Sequence, residues 1–352
     1  MNATYADVRD YAGWLDLSDW GLVRVIGSDR QRFLQAQTTN DLRPLQEGMG
    51  LYTAFCTPTG HLLTDAYLLE AEGSYLLLLP PATFGAMLER LSQLIILDEV
   101  ELIPLQEGLG VLSVQGSCAD EVLEEIGLEP PPAGELRHHA RIWQKTEVRL
   151  VRCPRTLWGG YDLILPFEAH EEMKTALVAT GVLPIPPELH EVMRYEAGIP
   201  LYGVDMDERT LAPEMGAAFI TKHISYTKGC YTGQEVLMRI RARGHTNRTW
   251  VPLHGGSDPQ VCPDPSPSLC PSLRGARVMT PDPDTPKEVG WITGAVRSPQ
   301  RNGNILAWGF VRNAYIAPGT HLQIQMEPTA EAPSTRFLPA VVLNPDRLSE
   351  EM

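Results

Sequence analysis

The sequence predicts an α+β protein in which an antiparallel β-barrel follows a region of mixed helices and strands. Between residues 20 and 180, segments with the two-residue alternation of strands recur between amphipathic segments with helical spacing. After residue 275, short strand patterns follow one another between turns, which is typical of a small barrel. At 352 residues the chain is also longer than one ordinary core. We therefore predict an α+β region of two subdomains over residues 1–247 and a barrel domain over 248–352.

The composition is that of a soluble globular protein, with 43% hydrophobic and 21% charged residues. No apolar run reaches the ~18 residues that a membrane-spanning helix needs. The N-terminus lacks a basic start followed by an apolar block, so no signal peptide is expected and a cytoplasmic location is predicted. The formal net charge of −15 argues against a general nucleic-acid coat, and direct nucleic-acid binding is not expected.

The first part of the chain is predicted to alternate strands and helices. A strand over residues 20–26 precedes a helix that Ser28 opens, because Gln31 follows three residues later at the spacing of a capping box. A β-meander comes next, followed by a helix and two further strands. The predicted bounds are 50–56, 61–70 and 74–79 for the meander, 81–93 for the helix, and 100–105 and 109–115 for the strands.

The rest of the chain and the barrel are predicted from the same patterns. The His138–His139 pair is predicted to be exposed to solvent rather than to form a ligand site. A helix is predicted to open at Pro186 or Pro187, and the proline-rich residues 255–275 are predicted to form an irregular crossing. The other predicted elements are helices over 117–126 and 167–180, strands over 141–151 and 161–165, and barrel strands over 276–279, 289–297, 305–311, 321–325 and 336–342.

The stretch from Thr221 to Arg248, TKHISYTKGCYTGQEVLMRIRARGHTNR, carries the sharpest functional signal. Thr232 and Glu235 have the spacing of a capping box, which predicts that a short amphipathic helix begins at Thr232. Gly244 suits the left-handed position just past the end of this helix.

Cys230 lies just ahead of the positive end of this predicted helix and two residues after Lys228. Both effects stabilise a thiolate relative to a thiol, so a reactive cysteine is predicted here. Gly229 and Gly233 permit backbone angles closed to other residues and allow a ligand to approach the main chain. The alternative is that Cys230 is a small buried hydrophobe and that the glycines only turn the chain.

The octapeptide KGCYTGQE, Lys228 to Glu235, resembles the K-G-C-Y-x-G-Q-E signature of the YgfZ family of folate-binding proteins, distant relatives of the glycine-cleavage T-protein. The resemblance implies a T-protein-like fold, with ferredoxin-like α/β subdomains around a central cavity and a C-terminal antiparallel β-barrel. It also implies that the protein binds tetrahydrofolate or a one-carbon derivative. The family role is to support iron–sulfur enzymes, such as radical enzymes that modify tRNA.

The resemblance also implies roles for single residues. Cys230 and Lys228 are the candidate catalytic residues, and Gly229, Gly233 and Glu235 belong to the motif. The side chains that we expect to contact folate in this stretch are Tyr231, Gln234, whose amide can donate and accept, and Arg239.

The charge around the motif agrees with an anionic ligand. From residue 222 to residue 248, six basic residues stand against one acidic residue, Glu235, so the local balance is +5 in a chain of net charge −15. A folate's glutamate tail, a nucleotide or an RNA backbone can each use such a patch. The alternative is a solvated helix face whose arginines pair with acids elsewhere.

Two earlier segments resemble the same families. FLQAQTTNDL, ending at Leu42, is similar to the family segment F-L-Q-x-x-x-T-N-D, whose polar end approaches the ligand cavity, and this implies a cofactor contact for Asn40. The alternative is an ordinary C-terminal turn of a helix. YTAFCTPTGHLLTDAYLL resembles the T-protein hairpin that carries two adjacent acids near the folate. Here Thr64 takes the first acidic place and only Asp65 remains, which weakens the case for aminomethyl transfer.

Residues 194–203, RYEAGIPLYG, resemble the R-x-E-x-G-x-P-x-x-G motif that the YgfZ and T-protein families share. The glutamate of that motif binds the pterin ring, which implies this role for Glu196. A carboxylate suits the task because it accepts two parallel N–H bonds from the amino-pyrimidinone edge of a pterin. Alternatively, Glu196 pairs with Arg194 or caps the helix end.

The six cysteines are scattered, without a C-x-x-C pair or a histidine at metal-ligand spacing, so no metal is expected in this chain. Cys262 and Cys270 can pair across a proline-rich loop, but free thiols are predicted for a reducing cytoplasm.

Three functions compete at this point. The first is a YgfZ-like folate-binding protein that acts through the thiol of Cys230. The second is a folate-dependent aminomethyltransferase or demethylase. The third is a non-catalytic scaffold whose basic patch holds a protein or RNA.

Overall fold

The computed structural model describes residues 1–244, 246–258, 261–262, 266–327, 334–345 and 348. The chain forms two compact units, each built from two separate stretches. Unit 1 contains Met1–Pro186 and Thr221–Val236, and unit 2 contains Pro187–Ile220 and Leu237–Met352. The predicted domain boundary between residues 247 and 248 divides the chain at another point, and it stays a prediction.

The helices of the described residues are short. They are α1 (Tyr5–Asp10), α2 (Arg30–Gln37), α3 (Phe84–Leu94), α4 (Ala119–Glu125), α5 (His170–Ala179), α6 (Pro187–Glu196), α7 (Gly216–His223) and α8 (Gln234–Arg243). In the part of the chain that the structure describes, none of them combines the length and the apolar character that crossing a membrane requires.

The strands of the described residues range from two to eleven residues in length, and several are buried along most of that length. They are β1 (Gly13–Asp16), β2 (Gly21–Ile26), β3 (Gly50–Cys56), β4 (Leu62–Ala71), β5 (Ser74–Leu79), β6 (Glu101–Pro104), β7 (Leu109–Gln115), β8 (His138–Trp143), β9 (Thr146–Arg152), β10 (Gly160–Pro166), β11 (Leu183–Pro184), β12 (Arg248–Gly255), β13 (Ser268–Leu269), β14 (Arg277–Met279), β15 (Glu288–Ser298), β16 (Asn304–Arg312), β17 (His321–Met326) and β18 (Arg336–Val342).

Unit 1 contains two sheets. The five-stranded sheet has the order β3-β4-β5-β2-β6, and its β3-β4-β5 part is the predicted meander. One face buries Leu68 and Leu77 with Phe33 of α2 and Met87 of α3. The six-stranded sheet has the order β11-β1-β7-β10-β9-β8, and its core includes residues of α4 and α5.

Two predictions in unit 1 are wrong for local reasons. The single strand predicted over residues 141–151 is the hairpin β8–β9, in which Gln144 and Lys145 adopt positive φ angles of 45° and 77°. Neither residue is a glycine, so the turn left no strong sequence signal. The helix α2 begins at Arg30 rather than at Ser28, whose hydroxyl donates to the Glu99 carboxylate at 2.7 Å.

The His138–His139 pair is not the exposed pair that the sequence predicts. His138 lies on β8 and is 2% exposed. Its Nδ1 lies 3.1 Å from a guanidinium nitrogen of Arg149, and its Nε2 lies 3.3 Å from the Met49 carbonyl oxygen. Burial and the neighbouring Arg149 lower the pKa of His138 to about 4, so its role is a neutral packing residue.

The barrel of unit 2 confirms the predicted antiparallel architecture. Strands β15, β14, β17, β18, β12 and β16 pair in that order, and β16 pairs with β15 to close the ring. Its interior holds Leu253, Val278, Ile292 and Ile324. Strand β12, which the sequence prediction missed, pairs with β16 along its whole length. Residues 259–260 and 263–265 of the predicted irregular crossing lie outside the described residues.

Cys262 and Cys270 form a disulfide, so the prediction of free thiols is wrong. Their Cα atoms are 5.4 Å apart, which is within bridging range. Both residues are 1% exposed and belong to the barrel core. The disulfide therefore lies within the barrel core.

Candidate functional site

The KGCYTGQE segment is a loop of unit 1 that leads into α8. The helix begins at Gln234, two residues later than the capping box predicts. Thr232 does not cap it; instead its backbone N–H donates to the Ala36 carbonyl at 3.0 Å. At the other end Gly244 follows the helix with a φ of +89°, which confirms its predicted left-handed position.

Cys230 is exposed to solvent, so the alternative of a buried hydrophobe is wrong. Gly229 and Gly233 have φ angles of +97° and +90°, which confirms that both need backbone angles favouring glycine. A Cβ at Gly233 would lie 2.8 Å from the Thr57 carbonyl oxygen, whereas one at Gly229 would meet nothing within 4 Å. Gly233 therefore serves close packing within the chain, and Gly229 serves only the turn that presents the thiol.

Lys228 bonds to backbone carbonyls elsewhere in unit 1, and its predicted effect on the Cys230 thiol stays a prediction. Its side chain is buried, and Nζ donates to the carbonyl oxygens of Thr38 at 2.6 Å and Asn40 at 2.7 Å. Nζ also lies 4.9 Å from the centre of the Tyr231 ring. Burial lowers the pKa of Lys228 to about 7.

The other motif residues divide by their exposure. Tyr231 is 8% exposed, and its hydroxyl is buried without a hydrogen-bond partner among the described residues. Gln234 is half-buried at the first position of α8, and Glu235 and Arg239 are exposed on the helix. Their predicted contacts with a ligand stay predictions.

Asn40 uses its side chain within the protein. The amide nitrogen donates to the carbonyl oxygens of Tyr52 at 2.7 Å and Lys222 at 2.8 Å, and the amide oxygen accepts from the Asp41 N–H at 2.9 Å. Both N–H groups of the amide are therefore engaged, and a ligand contact of Asn40, which stays a prediction, would have to use its amide oxygen.

Asp65 lies on β4 in an aromatic and charged layer of unit 1. Tyr67 lies two residues along the strand, on the same face as Asp65, and Tyr52 lies opposite it on β3 with ring centres 5.0 Å apart. Trp20 stacks on Tyr67 at 5.5 Å, and the Arg155 guanidinium lies 4.6 Å from the Trp20 ring. Arg155 is itself held by two hydrogen bonds to the Asp162 carboxylate, at 2.9 and 2.7 Å.

The Asp65 carboxyl group has an unsatisfied oxygen. Oδ1 is shut off from solvent and has no hydrogen-bond partner among the described residues. Burial raises the pKa of Asp65 to about 6, although the nearby Arg155 opposes this shift. Such a group exchanges a proton near neutral pH, and one of its oxygens can still accept a hydrogen bond.

We expect Asp65→Asn to change how stability depends on pH. The pKa of Asp65 in the folded protein lies above the unfolded value of about 4, so the folded state binds more protons between about pH 4 and pH 6. The stability of the wild-type protein therefore falls as pH rises through that window. The variant lacks this titration, so its stability relative to wild type should rise by up to about 3 kcal/mol from pH 4 to pH 7. Urea unfolding at several pH values measures this difference. Asp19→Asn, at an exposed position, is the control and should show no such trend.

Glu196 is buried at the end of α6 in unit 2. Its carboxylate accepts from the Ser298 hydroxyl at 2.5 Å and from the Gln300 N–H at 3.2 Å. None of the described hydrogen bonds joins Glu196 to Arg194, which was the alternative. The guanidinium of Arg194 binds the carboxylates of Glu191 and Asp205. Whether Glu196 also binds a ligand stays a prediction.

Asp205 is a buried residue that the sequence analysis missed. Its carboxylate accepts from Arg194 at 2.7 Å, from the Tyr195 hydroxyl at 3.0 Å, from the Leu201 N–H at 3.0 Å and from the Thr293 hydroxyl at 2.9 Å. Asp205 lies two residues beyond Gly203, the last glycine of the predicted motif. This proximity is the sequence signal that could have indicated it. Its role is to hold the RYEAGIPLYG turn against the barrel of unit 2.

Among the described residues, no group of three or more histidine, cysteine, aspartate or glutamate side chains is arranged to hold a metal ion.

Comparisons with known proteins agree with this fold. The family model of the GCVT N-terminal domain matches residues 1–224. An aminomethyltransferase of Pelodictyon phaeoclathratiforme is 26% identical over 348 residues, which cover 96% of this chain and 90% of that protein. An aminomethyltransferase of Caldanaerobacter subterraneus is 28% identical over 253 residues, which cover 67% of this chain and 64% of that protein, slightly less than two thirds of its length.

A solved structure shows the same fold. The glycine cleavage system aminomethyltransferase T from Bartonella henselae superposes with a TM-score of 0.80 at 21% identity, over 96% of this chain and 86% of that chain. This likeness confirms the T-protein-like α+β fold with its C-terminal barrel. Since the family model spans well over half of the chain, this protein belongs to the GCVT family of the glycine-cleavage T-protein superfamily.

Proposed function

We propose that this protein binds tetrahydrofolate or a one-carbon derivative and acts as a YgfZ-like protein through the thiol of Cys230. In this role it supports iron–sulfur enzymes, including enzymes that modify tRNA, in the cytoplasm. The observation that carries the proposal is the exposed Cys230 in a glycine-framed loop. An exposed thiol can reach a protein or small-molecule partner, whereas a buried structural cysteine cannot.

Folate binding is supported by features of each unit. In unit 1, the Asp65 Oδ1 atom and the Tyr231 hydroxyl are buried polar atoms without partners among the described residues, and a ligand can supply the missing bonds. In unit 2, the buried Glu196 is the acid of the pterin motif. The relatives that span most of this chain are named aminomethyltransferases. A bound folate would carry the one-carbon group.

Folate binding is tested by titrating purified protein with tetrahydrofolate and 5-formyl-tetrahydrofolate, each with one and with several glutamates. We expect wild type to bind. Glu196→Gln should bind at least about tenfold more weakly, because it replaces a charge-assisted acceptor by a neutral one. Glu188→Gln, an exposed position on the same helix, should bind as wild type does.

The outcomes separate two claims. If wild type binds no reduced folate, the folate proposal is wrong. If Glu196→Gln keeps both its melting temperature and its affinity, folate binding stands but the pterin contact of Glu196 is wrong. Longer glutamate tails should bind more tightly if the basic patch of residues 222–248 holds the tail, and this gain should shrink as salt rises.

The second candidate function is one-carbon transfer between an amine donor and folate, and Asp65 favours it. The first acid of the T-protein pair is replaced by Thr64, but neighbouring residues on a strand point to opposite faces. The Thr64 hydroxyl lies 2.7 Å from that of Thr83 before α3, on the face opposite Asp65. An acid at position 64 would therefore not share the Asp65 layer, and its loss is a weaker objection than the sequence indicated.

A direct assay distinguishes the two functions. Protein is incubated with tetrahydrofolate and an S-aminomethyl thiol, whose aminomethyl carbon is already at the oxidation level of formaldehyde. Methylene-tetrahydrofolate is measured together with the ammonia and the free thiol that the transfer releases. The transferase would be established if wild type and Cys230→Ser form methylene-tetrahydrofolate and Asp65→Asn does not. Absence of product, together with loss of the cellular role in Cys230→Ser, would establish the thiol-dependent function.

A further inference from the structure

Two motifs that lie far apart in the sequence form one structure in unit 1. The Thr38-Thr39-Asn40 turn follows α2, and residues 222–232 contain the Cys230 loop; we call their contact the motif junction. Hydrogen bonds across it run from Ser225 N–H to the Thr39 carbonyl at 2.9 Å and from the Thr39 hydroxyl to the His223 carbonyl at 2.6 Å. The junction is therefore built mainly from backbone groups, which any change of the loop path would leave unpaired.

Lys228 is the charged member of the motif junction. Thr38 directly follows α2 as its C-cap residue, and the last carbonyls of a helix lack partners within the helix. The Lys228 ammonium satisfies the Thr38 and Asn40 carbonyls from another segment of the chain, at the negative end of the helix dipole. Three donors on one nitrogen suit this task, and an apolar residue would leave both carbonyls unpaired in the interior.

The anchors lie on both sides of Cys230. Lys228 is fixed two residues before it, while Tyr231 is buried directly after it and the Thr232 N–H is bonded to Ala36. Between these anchors, Gly229 faces open space and Cys230 is exposed. The thiol is thus presented to solvent by a loop that cannot move freely at either end.

We propose that Lys228 is a positioning residue, whose buried ammonium group ties the Cys230 loop to the end of α2 and so fixes where the thiol is presented. This inference rests on the proposed function of Cys230. It differs from the electrostatic role that the sequence predicts, in which Lys228 acts on the thiol directly. The lowered pKa of Lys228 agrees with positioning, because hydrogen bonds to two carbonyls persist when the amine is neutral.

The test uses Lys228→Met with Lys222→Met as the matched control. Lys222 lies on the same segment, but it is exposed and pairs with Glu135 at 2.9 Å. Hydrogen–deuterium exchange should show faster exchange, by about tenfold or more, for amides of residues 38–40 and 225–232 in Lys228→Met. The control should exchange as wild type does. If Lys228→Met does not fold, Lys228→Gln gives the same comparison, because its shorter side chain still carries two N–H donors.

A second measurement separates positioning from electrostatic activation. The rate of Cys230 alkylation by iodoacetamide is followed against pH in a Cys118→Ser background. Positioning predicts faster amide exchange with an alkylation midpoint that moves by less than about 0.3 pH unit. Unchanged exchange, or a midpoint raised by about one unit or more without faster exchange, would overturn the proposal. Neither readout needs folate or a client, so Cys230→Ser that supports growth would refute the proposed function and leave this result standing.

Discussion

Replacing Cys230 with serine is expected to abolish rescue of a strain that lacks the endogenous YgfZ-like protein, while the protein stays folded. Serine has nearly the same shape but cannot form the thiolate that attacks electrophiles or exchanges with disulfides. Because Cys230 is exposed, its replacement removes no packing, and stability should change by less than about 0.5 kcal/mol. Growth of the complemented strain and the activity of its iron–sulfur enzymes are the measurements.

Cys118→Ser is the control, because Cys118 is also a free thiol that is not fully buried. It should rescue as wild type does. Rescue by Cys230→Ser at wild-type protein levels would rule out a thiol-dependent role. If charge reversal of Arg239, Arg241 and Arg243 abolished rescue instead, a scaffold function would be favoured.

Removing the Asp205 carboxylate is expected to cause the largest loss of stability of any single change considered. Asp205→Ala leaves the Arg194 guanidinium, which is 3% exposed, with only Glu191 as an acidic partner among its described contacts. Breaking a buried ion pair by removing one partner costs about 3 kcal/mol. The Tyr195 and Thr293 hydroxyls also lose an acceptor. Urea unfolding and the melting temperature measure the loss.

Glu208→Ala is the matched control, since Glu208 is an exposed acid of the same loop. Its cost should stay within about 0.5 kcal/mol. The double variant Arg194→Met/Asp205→Ala should recover part of the loss, because it removes the stranded charge as well. Equal stabilities of Asp205→Ala and Glu208→Ala would show that the network contributes little.

Local patterns predicted the element types well where the pattern was strong. The meander β3–β5, the helix α6 from Pro187 and five barrel strands lie within a few residues of their predicted bounds. Each of these has its own periodicity and turn residues, which act over a few positions. The sequence does not predict the β8–β9 turn, because neither Gln144 nor Lys145 is a glycine. It does not predict strand β12 either, because Arg248, where the strand begins, also belongs to the basic stretch.

The sequence indicates which residues form the candidate site, but it does not show which groups they contact. The motif points to Cys230 and its glycines, and the exposure of the thiol and the positive φ angles agree with that prediction. Lys228 lies two residues from the thiol in the chain. Its ammonium group bonds to the carbonyl oxygens of Thr38 and Asn40, about 190 residues earlier in the sequence.

The amino-acid sequence alone determined the α+β class, the barrel and the position of the exposed thiol, because periodicity, glycine placement and a short motif are properties of neighbouring residues. The partners of buried polar groups could be known only from the folded chain. The two carbonyls that hold Lys228, the unsatisfied oxygen of Asp65, the burial of His138 and the Cys262–Cys270 bond arise where distant segments meet. The partners of a buried charge are the groups that folding brings next to it, and the spacing of residues along the sequence does not specify them.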